Sequence, residues 1–209
     1  IEAMDYVRSQ GLMPLCTPWD INSFERLEQF GISGYKVASA DLTNHGLIEK
    51  ISATKKTILL STGMSTEVEI LETIKMLEAQ FSHYVLMHCN GTYPPPLQDV
   101  NLLYIRRLQS LSGRPVGYSG HERGINVAVA AVALGAVVIE THITLDNSRE
   151  GSDHRISLLP QEFAALVHGI REVSGALGND SARKLSQGEM LNRTTLAKSL
   201  FTTGDLARG

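Results

Sequence analysis

Cysteine is scarce in this chain, long hydrophobic runs are missing and neither sign of charge dominates; each shortage closes off a class of function. The two cysteines, Cys16 and Cys89, each end a short apolar run, which favours two buried thiols over a disulfide framework. No apolar stretch reaches the roughly 18 residues of a membrane span. The opening Ile1-Glu2-Ala3-Met4-Asp5 has neither the basic nor the apolar region of a secretion signal, so the cytosol (a cytoplasmic address) is the expectation. A net charge of -3 and a pI near 6.2 supply no field that would hold a nucleic acid or an anionic membrane. Any anionic ligand must therefore be held locally. Nor does a G-x-G-x-x-G or G-x-x-x-x-G-K-[ST] loop follow any apolar run, which removes the usual nucleotide-phosphate cradles.

What is present is an ordinary globular composition, with 209 residues, 43% of them hydrophobic and 20% charged, enough for one sizeable core. Six apolar runs are too short for helices and are expected as buried parallel strands: Leu12 to Cys16, Tyr35 to Ala38, Thr57 to Ser61, Tyr84 to Cys89, Val116 to Tyr118 and Val137 to Glu140. Each precedes a helical pattern, over Ser23 to Phe30, Leu47 to Ala53, Val68 to Gln80, Leu102 to Leu111, Ile125 to Leu134 and Gln161 to Leu177. Strict alternation of this kind is α/β. Polar residues close nearly every strand, namely Thr17, Ser39, Ser61 and Thr62, His88, Ser119 and His142, as the rim of a barrel requires. The expected fold is thus a TIM (β/α)8-type barrel, incomplete, with about six βα units. A helical pattern over Ile1 to Gln10 has no strand before it, so the first two units, about 60 residues, are expected to be missing. The expected division is a barrel domain over 1–178, a polar linker over 179–192 and the start of a further domain over 193–209.

Two histidines stand at equivalent strand ends, in Tyr118-Ser119-Gly120-His121 and Glu140-Thr141-His142. If their strands are adjacent, neutral imidazoles at one rim can share a divalent ion while water and substrate oxygens complete its shell. The alternative for either alone is a helix-capping or core histidine. His88 also ends a strand and is expected as a rim residue, with a third-ligand role as the alternative. Lys36 falls inside a strand, where a lysine is costly unless it meets an anion in a wet pocket; Ser39 and Asp41 follow at the mouth. Ser61-Thr62-Gly63 offers hydroxyls and a backbone approach to a phosphate, or else an ordinary turn before the caps Ser65 or Thr66. Asp146 to His154 is either a sugar-binding loop or a solvated linker.

These motifs, with Cys16-Thr17-Pro18-Trp19-Asp20, Leu60-Ser61-Thr62-Gly63-Met64, His88-Cys89 through Tyr93-Pro94, Asp99-Val100-Asn101-Leu102 and His142-Ile143-Thr144-Leu145-Asp146 through Gly151-Ser152-Asp153-His154, closely resemble the sialic acid synthase family. Its members condense phosphoenolpyruvate with N-acetylmannosamine, its 6-phosphate or a related hexosamine. The resemblance implies a divalent metal, Mn2+ first with Mg2+ or Co2+ as alternatives, on His121 and His142. It implies phosphoenolpyruvate against Thr17, Lys36, Ser39, Ser61, Tyr93 and Ser119, with Asn90 replacing a contact that Gly91 cannot make. Asp153 would hold the amino sugar, and Asp41 would act beside the reacting groups. It also implies a C-terminal antifreeze-like (SAF) domain and a homodimer when full length. Alternatives are another phosphoenolpyruvate-dependent sugar acid synthase, of legionaminic, pseudaminic or deoxy-ketulosonic type, and an inactive carbohydrate-binding module.

Overall fold

A computed structural model describes residues 2–208, in two units that divide between Leu177 and Gly178. The first is built on a parallel sheet of five strands, β1 (Gly34–Val37), β2 (Thr57–Ser61), β3 (Tyr84–Cys89), β4 (Val116–Ser119) and β5 (Ala136–Glu140), in the spatial order β1-β2-β3-β4-β5. Sequential order matters, because a doubly wound sheet reverses its strand order at a switch point and this one does not. Right-handed crossovers then put every helix on one face. Those helices are α1 (Glu2–Ser9), α2 (Ile21–Glu28), α3 (His45–Ala53), α4 (Glu67–Ala79), α5 (Tyr104–Ser112), α6 (Asn126–Ala133) and α7 (Pro160–Leu177). The unit is an arc of a β/α barrel.

Register explains the core. Val37, Leu60, Leu86, Val116 and Ala136 lie in one row across the five strands, all buried toward the helices. One step on, alternation turns Ser61, Met87 and Gly117 to the opposite, concave face. A step further, His88 and Tyr118 return to the helix side. Between Val116 and Tyr118 the β4–β5 pairing shifts, with Val116 opposite Ala136 but Tyr118 opposite Ile139, so one extra residue of β5 is accommodated beside Gly117. Ser119 then pairs with Glu140, and both face the concave side.

That side is strongly curved. Lys36 on β1 and Glu140 on β5 approach to 3.7 Å although three strands lie between them in the sheet. In a flat sheet those strands would stand about 19 Å apart, at roughly 4.8 Å per step, beyond the reach of both side chains together. The sheet must curl for the pair to form.

Helix starts follow the local chemistry. The Asp20 carboxylate caps α2 on the Ser23 N–H, and Thr66 with Glu69 forms a capping box on α4. The apolar α6, NVAVAAVA, packs against β5 and α7.

The expected strand over Leu12 to Cys16 is corrected. Only a bridge forms there, where the Lys36 N–H donates to the Cys16 carbonyl, because Pro14 has no N–H to add to a ladder. Leu12, Met13 and Leu15 remain exposed. Five strands, not six, are therefore present among the described residues. In the second unit, a helix α8 (Gln187–Leu196), started by a Ser186–Glu189 capping box, runs across the boundary expected at residue 193. None of the helices among the described residues is long and apolar enough to cross a membrane.

Candidate active site

A cavity of about 480 Å³ opens at the carboxyl ends of the five strands. The β1 end brings Lys36 and Ser39, β2 brings Ser61, β4 brings Ser119 and His121, and β5 brings Glu140 and His142. Thr17, Tyr93 and Asp153 enter from loops. Nine of the residues the sequence singles out thus share one space with Glu140, and this is the face of a β/α barrel where ligands are held.

The two imidazoles converge. Their ring centres lie 5.4 Å apart, and Tyr93 stacks on His121 at 4.0 Å while turning an edge to His142 at 5.8 Å. His121 is buried, and its Nδ1 lies 2.6 Å from the Asn90 carbonyl. A carbonyl only accepts, so Nδ1 carries the proton and Nε2 is left as the ligating nitrogen. Two imidazoles bonded at about 2.1 Å to one ion have ring centres about 5 Å apart, so the pair fits a shared cation. No cluster of three or more His, Cys, Asp or Glu side chains suited to a metal occurs among the described residues. A cation here would keep most of its positions for water and substrate oxygens.

The electrostatics differ between the two rings. Burial disfavours protonation of His121, but the Cys89 thiol 3.7 Å away and the Asn90 carbonyl outweigh it and raise its pKa. Burial lowers the pKa of His142, with Asp153 opposing. At Cys89 burial pushes the thiol up, yet contacts with His121 and Ser39 leave it lowered.

Lys36 is nine-tenths buried, donates to the Val37 carbonyl at 2.8 Å and has its pKa lowered by burial, with Glu140 opposing. The Ser61 hydroxyl, on the same cavity, is buried with no hydrogen-bond partner among the described residues. An ammonium and an unpartnered hydroxyl in one cavity are suited to an anion.

Three expectations need correcting. Asp41 does not line the cavity; the chain turns at Ser39–Asp41 into a short 3-10 helix, and the Asp41 carboxylate accepts from Asn44 Nδ2 at 3.0 Å. The Asn90 side chain is also elsewhere, donating to the Asp99 carbonyl at 2.9 Å and accepting from the Thr92 N–H. Asn90 serves the site through its backbone carbonyl instead. His88, expected at the rim with a ligand role only as the alternative, is at neither: strand alternation turns it outward, onto the Val100 carbonyl at 2.6 Å and between the Tyr104 and Tyr118 rings. Glu140 is the residue that sequence reasoning passed over. The signal was its position two before His142 on a strand, which gives both the same face.

These features define a β/α-barrel protein with a cavity at the carboxyl ends of its strands, whose lining suits an anion and whose paired imidazoles are spaced as a shared cation would require. The chain belongs to the NeuB family, whose model matches residues 1–182. It is 40% identical over 198 residues to an N,N'-diacetyllegionaminic acid synthase of Campylobacter jejuni, covering 93% of this chain and 59% of that protein. It is 35% identical over 209 residues to the N-acetylneuraminate-9-phosphate synthase of Homo sapiens, covering 100% of this chain and 58% of the relative. The crystal structure of an N-acetylneuraminic acid synthetase from Leptospira borgpetersenii, in complex with citrate, superposes with a TM-score of 0.85 at 31% identity, over 93% of this chain and 69% of that one. The chain spans slightly less than three fifths of the length of both curated relatives, 59% and 58%.

Proposed function

We propose that this chain carries the anion- and metal-binding part of an enzyme that condenses phosphoenolpyruvate with an N-acetylated hexosamine, giving a nine-carbon 2-keto sugar acid and phosphate. The observation that carries this reading is the convergence of two imidazoles, a buried ammonium and an unpartnered serine hydroxyl on one cavity. A divalent ion on His121 and His142, manganese first, would supply Lewis-acid polarisation of the open-chain sugar's aldehyde oxygen.

The chain's own residues do the rest. Lys36, Thr17, Ser39, Ser61 and Ser119 hold the phosphate and carboxylate, which fixes the orientation of the enol and supplies charge stabilisation. C3 attacks the aldehyde carbon, water adds at C2, and phosphate departs with C–O cleavage. The Asn90 carbonyl holds the His121 proton on Nδ1 throughout. Tyr93, which lines the same cavity, meets phosphoenolpyruvate, and Asp153 meets the sugar. Asp41 has no part in this scheme.

The identity to a diacetyllegionaminic acid synthase favours a diacetamido hexose beside N-acetylmannosamine and its 6-phosphate as acceptor. Mass spectrometry of products from the three acceptors, with phosphoenolpyruvate and Mn2+, tests the whole reading. One acceptor is expected to give a 2-keto acid with release of phosphate; no product from any of them overturns it. The homodimer and the C-terminal domain implied by the resemblance belong to this same proposal, and sedimentation of the full-length protein checks the dimer.

A further inference from the structure

Lys36 and Glu140 pose a question that anion binding alone does not answer. A buried ammonium needs a counter-charge, and Glu140 is the one carboxylate within salt-bridge distance of it among the described residues. Yet Glu140 is not locked in place. Its side chain is 40% exposed against 11% for Lys36, and among the described residues no hydrogen bond fixes its carboxylate. Its backbone is fixed instead, with the carbonyl accepting from the Gly120 N–H at 3.0 Å. A rigid strand therefore presents a movable anion to a fixed cation.

We propose that Glu140 is the internal competitor for the anion position at Lys36, a positioning residue that pairs with the ammonium when the position is empty and is displaced by the phosphate group of a ligand. The inference rests on the proposed reading of Lys36 as the phosphate holder. Two anions cannot both pair closely with one ammonium without repelling each other in a partly desolvated cavity. Glu140 thus weakens the hold on phosphate and, as phosphate leaves, replaces it. Lys36 keeps a partner at every stage, and the released anion faces a competitor tied to the same fold at high effective concentration.

Calorimetric titration with inorganic phosphate, which requires neither metal nor turnover, tests this. Glu140→Gln keeps shape and polarity but removes the charge, and is expected to bind phosphate about tenfold more tightly than the parent protein. Glu140→Asp, which draws the carboxylate back by one methylene, is expected to bind two- to threefold more tightly and keeps the test alive should the glutamine variant not fold. A purely structural carboxylate would lose affinity on replacement, so unchanged or weaker binding in the folded variants overturns the inference. Lys36→Met is the separate arm. If it binds phosphate as the parent does, Lys36 is not the holder, and the proposed function fails at that point together with the inference. If Lys36→Met loses binding while Glu140→Gln gains nothing, the reading of Lys36 stands and the competitor role alone falls.

Discussion

The ends of β4 and β5 each deliver one histidine to the same cavity, but the two strands are anchored very differently. All four residues of β4 are buried, Tyr118 donates to the buried Glu122 carboxylate at 2.6 Å, and His121 is fastened through Nδ1. Along β5, Val137 is 62% exposed, and beyond it Ile143 and Leu145 also face outward. His142 is held through its backbone, whose carbonyl accepts from the Leu158 N–H at 2.9 Å, while its ring makes no hydrogen bond among the described residues. One imidazole is preset and the other can adjust. Under the proposed function, a pair built this way would fix where a cation sits yet let its shell adapt as substrate oxygens come and go.

The largest effect would break the comparison. His121→Ala and His142→Ala are each expected to lower metal-dependent turnover of the full-length enzyme at least about 100-fold, despite their unequal anchoring. Steady-state rates with Mn2+ check this, and a normal rate for either variant ends the idea of a shared ion. Next comes packing between the strands. A Cβ on Gly117 would meet the Met87 sulfur and lie 2.8 Å from the Val138 carbonyl oxygen, so Gly117→Ala should cost about 3 kcal/mol in urea unfolding. Val137→Ala, next along β5 but on the open side, should stay within about 0.5 kcal/mol. Tyr118→Phe leaves the Glu122 carboxylate buried without its donor and should cost about 2 kcal/mol by the same measurement.

The smallest effect is acid sensitivity. Just before β4, Arg114 pairs with Glu78 at 2.9 Å, and that guanidinium, with the Tyr84 hydroxyl, holds the Glu78 carboxyl below its usual pKa. A lowered folded-state pKa contributes stability that is present above the unfolded value, near 4.3, and lost as pH falls through the folded one. Because the pair is partly exposed, the contribution should be under about 1 kcal/mol and shrink with salt. Melting from pH 6 down to pH 3 should show a shallower loss for Glu78→Gln than for the parent.

Much of this was legible in the sequence, and the failures have physical causes. Five of the six apolar runs became strands, since short β-branched and aliphatic runs bounded by turns have few alternatives in a parallel sheet. The run at Leu12 to Cys16 failed because an apolar pattern does not register that a proline cannot donate. Helix α8 was missed because a capping box before a polar sequence carries no apolar periodicity. In the site, the rim positions Thr17, Ser39, Ser61, Ser119, His121 and His142 were reachable because strand ends converge in this fold. Asp41 and Asn90 were not, since a short 3-10 turn and two local hydrogen bonds redirect their side chains. Glu140 was reachable by the same alternation, two residues before His142, but its pairing with Lys36 depends on the curl of the sheet, which no single strand reveals.

The irregularity in β5 has a consequence of its own. From Val116 to Ser119 there are three peptide steps, while their partners Ala136 and Glu140 are four apart. Without that odd step, an even ladder would hand Ile139 to the cavity and turn Glu140 and His142 toward the helices. The chemistry of this rim therefore depends on parity, a count of links rather than a kind of side chain. Shortening the strand by one valine should leave the rim intact, whereas a change that forced regular pairing at full length would turn the pocket inside out with no reactive group altered.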